Sequence, residues 1–162
     1  MFKKYFYNFL MVLSFCFYII FLIFVLFLYA RKTTDSRILF SLSNIGDFWQ
    51  YIKASSNFTP FQTIKLFLNG YAKGYVSLKI LVYNIFGNFV LFMPLGIFIH
   101  FFLDTKKHFF RHFITVLFIV LSVELLQIML MVGRFDIDDI ILNISGEMAF
   151  YSVFRVCNKN SD

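Results

Sequence analysis

Glu124 and Gln127 stand three residues apart, and Asp139, Asn143 and Glu147 follow one another at intervals of four. On a helix both spacings place the side chains on one face. Asn84 and Asn88 repeat the interval of four. A carboxylate held in an apolar setting can act as a general base, and a nearby guanidinium such as Arg134 can bind an anionic group. Between these residues lies the turn Gly133-Arg-Phe-Asp-Ile-Asp-Asp139, which adds Asp136 and Asp138. Apart from these polar positions, residues 123–143 are mostly Leu, Ile, Met and Val.

The elements that must position these groups are themselves apolar. Of 162 residues, 60% are hydrophobic and 15% charged, and the mean hydropathy is +0.76. One soluble domain of this length lacks the interior to hide so much apolar surface, so the chain reads as an integral membrane protein of one domain, residues 1–162. The 26 Phe and nine Tyr suit aromatic packing and interface anchoring. The net charge is +6. Because the basic residues mostly flank apolar runs, the bilayer and its anionic headgroups are the expected partner. No nucleic-acid motif is present, and no nucleic-acid partner is expected.

Four runs are long enough to span about 30 Å of hydrocarbon. The expected spans are residues 5–30, 80–103, 113–133 and 137–157, with a loop over 31–79. The first run is too long for a signal-peptide core and reads as an uncleaved anchor. The loop contains two short helical patterns, "DFWQYIKA" and "FQTIKLFLNGYAKGY", with Gly70 as the expected stop of the second. The fold class is therefore an all-α membrane protein: a bundle of about four transmembrane helices with a long, partly helical extracytoplasmic loop after the first. Pro94 and Gly96 are expected to kink the second span and admit a close neighbour. The short loop "DTKKHFFRH" and the short termini are densely basic, which places both termini in the cytoplasm and the GRFDIDD turn outside.

A charge in mid-bilayer is costly unless it meets protein or water. The polar stripes of the second, third and fourth spans are therefore expected to face one another and to line a small cavity open toward GRFDIDD. Arg134 would stand within reach of Asp136, Asp138 or Glu124. The plainer alternatives are that Asp136 caps the last helix, Asp138 is a solvated loop charge, and the asparagines join helices without chemistry. His108 and His112, four apart in a basic loop, lack the intervening Glu of a zinc helix, and DIDD lacks calcium-loop spacing. No metal and no cofactor is expected. Cys16 and Cys157 fall at different depths and are not expected to pair.

The blocks "NFTPFQTI", "NIFGNFVLFMPLGIFI", "VELLQ" and "GRFDIDDIILNISG", in this order, resemble the VanZ-like family of bacterial membrane proteins. The resemblance covers most of the chain beyond the first span. It implies a small multi-pass protein of the cytoplasmic membrane, and a founding member associated with resistance to teicoplanin-type glycopeptide antibiotics. The family's recurrent positions match Asn84, Asn88, Pro94, Gly96, Glu124, Gln127, Arg134, Asp136, Asp139, Asn143 and Gly146 here. Glu147 is an addition that the resemblance does not assign. Two functions follow as expectations. One is a binding or protective protein whose outer-leaflet cavity holds a lipoglycopeptide antibiotic or an envelope lipid. The alternative is an intramembrane enzyme acting on an envelope lipid or peptide, with Glu124 or Asp139 as base and Arg134 as anion ligand. Oligomeric state is left open.

Overall fold

Hydrocarbon offers the backbone no hydrogen-bond partner, so long apolar runs fold as helices that satisfy themselves. The computed structural model describes residues 2–29, 45–103 and 108–158. Helix α1 (Phe2–Ile23) continues as a π-helical segment, Phe24–Tyr29. Two shorter helices follow, α2 (Ile45–Ala54) and α3 (Gln62–Ala72), separated by the two-residue strand β1 (Ser56–Asn57). Then come α4 (Leu78–Leu91), α5 (Leu95–Leu103), α6 (Phe109–Met129), strand β2 (Phe135–Asp136) and α7 (Ile137–Asn158). Among the described residues four segments are long and apolar enough to cross a membrane: Phe2–Leu28, Leu78–Leu103, Phe109–Met129 and Ile137–Cys157. The chain is a multi-pass membrane protein built from helices, with the two strands forming one short parallel bridge, Ser56 to Phe135 and Asn57 to Asp136. Much of the positive-inside signal, Arg31, Lys32, Arg37, Lys106, Lys107 and Lys159, lies outside the described residues.

Pro94 breaks the second span as expected. It has no N–H to continue the ladder, and the backbone tightens into three-residue bonds: Leu95 N–H donates to Phe92 O (3.0 Å) and Ile97 N–H to Pro94 O (3.2 Å). The break turns Phe92 inward, where it is fully buried with Leu95, Ile99, Val116, Val120 and Ile140. Helix α1 packs on α5 through rings: Phe15 on Phe98 and Phe102, and Tyr18 stacked on Phe98.

Two helix ends differ from the sequence reading. Helix α6 starts before residue 113, so His112 belongs to the helix and not to a basic loop. It stops at Met129, before Gly133, because Met131 adopts φ 54° and closes a Schellman motif: Met131 N–H to Ile128 O (3.1 Å) and Val132 N–H to Gln127 O (3.0 Å). Likewise α3 does not stop at Gly70. Its closing residue is Gly74, at φ 75°, with Gly74 N–H to Tyr71 O and Tyr75 N–H to Gly70 O.

Helix α7 packs most extensively on α4 and also touches α3, α5 and α6. Close approach to α4 rests on Gly146, where a Cβ would collide with the backbone carbonyl of Phe89. In hydrocarbon such fit replaces the hydrophobic effect as the source of helix association. Gly146→Ala is therefore expected to lower the Tm of the detergent-purified protein by about 3 °C or more. Gly87→Ala, where a Cβ meets nothing within 4 Å, should leave Tm unchanged or raise it. Equal behaviour of the two variants in a thermal melt would show that Gly146 sets no packing distance.

Candidate functional site

Asp136 and Asp138 begin α7 and are both buried. Asp136 Oδ1 accepts from Asp138 N–H at 3.0 Å, the bond of an N-cap. The same carboxylate also reaches the loop after α1: Asn57 Nδ2 donates to Oδ1 (3.0 Å) and Thr63 Oγ1 to Oδ2 (2.6 Å). Asp138 is no solvated loop charge. It is fully buried, and it accepts the N–H groups of Phe61, Thr63 (2.8 Å) and Ile64 (3.1 Å). These are the open amides at the start of α3, whose own N-cap residue, Phe61, supplies no side-chain acceptor. The segment 57–64 is thus strapped across the start of α7, further held by Tyr51 Oη donating to Gly133 O (2.9 Å).

Deeper in the bundle, Asp139 faces α4 and accepts a hydrogen bond from Asn88 Nδ2. Glu124 on α6 is 4% exposed and has Asp139 and Asp136 as electrostatic neighbours. Among the described residues its Oε2 atom has no hydrogen-bond partner, and neither has Oδ1 of Asn143, which is 3% exposed. Two buried or half-buried carboxyl groups and two amides of α4, α6 and α7 thus lie beside the strap, Glu124 accepting a hydrogen bond from the backbone of Asp136. Acceptor atoms left open in so buried a place are the groups that a ligand, a proton or a water would satisfy.

The α6 and α7 faces continue to a second polar pair that sequence reasoning did not assemble. His112 Nε2 and Glu147 Oε1 lie 2.7 Å apart, both side chains fully buried. The Tyr151 ring stacks on His112 at 3.9 Å between centroids. Gly96 on α5 admits the Glu147 carboxyl, which would clash with any Cβ there. The signal was present in the spacing. His112, Val116, Val120, Glu124 and Ile128 are the buried residues of α6, every fourth position. Asp139, Asn143, Glu147 and Tyr151 run the same way along the antiparallel α7.

Other expected members stand elsewhere. Asn84 is exposed and donates to its own helix, at Ile80 O (2.8 Å). Gln127 donates to Leu26 O (3.0 Å) in the π-helical end of α1, and so ties α6 to α1. Arg134 is exposed and forms no ion pair among the described residues, although Asp139 feels its charge. Pro94 makes the break that positions Phe92, while Gly96 and Gly146 make room for Glu147 and Phe89. Cys16 and Cys157 are free. Among the described residues no three His, Cys, Asp or Glu side chains are grouped to hold a metal ion.

The family model described as VanZ/LLP1 matches residues 15–158, which include every residue of both polar groups. Neither a curated protein nor a solved structure matches the chain.

The buried His112–Glu147 pair generates a stability test. Removing His112 strands the Glu147 carboxyl in an apolar interior, at a cost of about 3 kcal/mol or more. His112→Leu and Glu147→Met are each expected to lower Tm clearly, and the double variant to recover much of the loss. Additive losses in that double-mutant cycle would show that the two groups do not depend on each other.

Proposed function

Since the chain belongs to the VanZ/LLP1 family, we propose that it works at the envelope of a bacterial cell, in the cytoplasmic membrane with both termini in the cytoplasm. There it holds an amphiphilic ligand at the Glu124–Asp139–Asn143 group and weakens the action of teicoplanin-type lipoglycopeptides. The observation that supports this reading is the two buried open acceptors, Glu124 Oε2 on α6 and Asn143 Oδ1 on α7. Polar groups at membrane depth are costly and are most often functional. Helix bundles commonly bind ligands between their helices. Asn88 orients Asp139, and the strap over residues 57–64 roofs the group on the side of the GRFDIDD turn.

The electrostatic coupling of the Glu124 and Asp139 carboxyl groups favours a second reading, an intramembrane enzyme acting on an envelope lipid or peptide. One carboxyl group would then exchange a proton with the substrate, and Arg134, exposed at the mouth, would meet an anionic group.

The two readings part on conservative substitutions. Expressed in a Gram-positive host that lacks the gene, the wild-type protein is expected to raise tolerance of teicoplanin and leave tolerance of vancomycin unchanged. At matched membrane levels, Glu124→Ala and Asp139→Ala lose this protection. Glu124→Gln and Asp139→Asn retain most of it if the site only binds. They lose about 100-fold of the rate or more if it performs acid–base chemistry. Absence of any protection by the wild type would remove the resistance role.

Orientation has its own test. Cys157 is exposed near the end of α7, whereas Cys16 lies inside the first membrane-spanning helix. A membrane-impermeant maleimide is expected to label Cys157 only after the cells are opened. Labelling of Cys157 in intact cells would place the C-terminus outside.

A further inference from the structure

Gly87 lies in the interior of α4, where glycine is a poorer helix former than alanine. At Gly96 and Gly146 a neighbouring group occupies the space of the missing side chain. At Gly87 none among the described residues does, since a Cβ there meets no atom of another segment within 4 Å. The space belongs to a groove of about 690 Å³ between α1 and α4, walled by Phe17, Phe21, Tyr83, Phe86 and Val90. Along α4 the wall runs from residue 82 to residue 91, about 14 Å at the helical rise, and Pro94 continues it past the break. Tyr18 Oη, donating to Leu91 O at 3.0 Å, ties the two helices at the level of the break in the second span. At the other end, Lys79 Nζ sits 5.8 Å from the centroid of the Tyr83 ring. The groove is on the far side of α4 from Asn88, which turns toward Asp139.

We propose that this groove seats one acyl chain of an anionic glycerophospholipid, with its phosphate at Lys79. The wall is apolar and opens to the bilayer, which supplies acyl chains at high concentration. The charge at the mouth selects the headgroup: Lys79 begins α4 directly after α3, which carries the exposed Lys65 and is followed by Lys73. Gly87 leaves open the part of the wall that a side chain would otherwise fill. The inference stands apart from the proposed role of Glu124 and Asp139, since neither residue borders the groove.

The test uses the full-length protein, delipidated in a neutral detergent. It is titrated with dioleoyl phosphatidylglycerol or dioleoyl phosphatidylcholine and read by native mass spectrometry. The wild type is expected to hold one phosphatidylglycerol in preference to phosphatidylcholine. Lys79→Gln should lose that preference, about fivefold in affinity for the anionic lipid. Gly87→Leu, which has room in the fold, should keep the wild-type Tm and lose both lipids. Phosphatidylglycerol bound equally by the wild type and a folded Gly87→Leu protein overturns the proposal. So does a wild type indifferent to headgroup charge, or a dimer that Gly87→Leu breaks apart. Should Gly87→Leu fail to fold, Lys79→Gln still decides, because an unchanged preference for phosphatidylglycerol refutes the proposal.

Discussion

Helix α7 crosses the bilayer with Asp139, Asn143 and Glu147 on one face, and the rest of the bundle is arranged so that this face never meets lipid. A charged side chain at the centre of a membrane helix costs about 2.5–3.5 kcal/mol even on the mildest scale, and an amide there also needs a partner. Three on one stripe would keep α7 from settling in the membrane alone. Each neighbour answers one part of the stripe. Helix α4 brings Asn88 to Asp139, α6 brings His112 to Glu147, and α5 yields the space of a side chain at Gly96. The close crossing at Gly146 and Phe89 is what lets α4 reach far enough to do so.

The carboxyl groups divide by how completely the protein satisfies them. Asp136 and Asp138 accept a full set of hydrogen bonds from a segment more than 70 residues away, and their role is to hold the strap in place. Glu124 keeps an open oxygen beside Asp139. A buried acceptor without a partner is a standing cost to stability. That cost is why the functional reading rests on Glu124 and Asn143 and not on the more conspicuous aspartates of the turn. Glu147 likewise keeps one oxygen open while the other is engaged by His112, but among the described residues no second carboxyl group stands on the facing helix there as Asp139 does for Glu124.

The four membrane segments, the break at Pro94 and the two helices of the loop were legible in the sequence because each depends on local pattern: unbroken apolar length, a missing N–H, a period of 3.6. The pairing of His112 with Glu147 was not. It depends on how α6 and α7 are aligned, and the alignment is set where α6 ends. That end is made by Met131 in a left-handed conformation, which no glycine announces. Asp138 was misread for a related reason, since its partners are backbone amides and carry no side-chain signature. Asn84 shares the four-residue spacing of Asn88 but sits near the start of α4. There its amide is satisfied by the carbonyl one turn back, and no neighbouring helix is required.

The strap also bears on the order in which the chain is made. Asp138 lies 74 to 77 residues beyond the amides it accepts at the start of α3. A ribosome working from the N-terminus delivers α2 and α3 while that acceptor does not yet exist. The first loop therefore waits at the membrane surface without its final seat until the last helix has been threaded into the bilayer. Only then does the carboxylate of Asp138 close the loop over the bundle. Docking of the early loop thus records that insertion of the late helix is complete, and a chain stalled before α7 cannot assume the closed form.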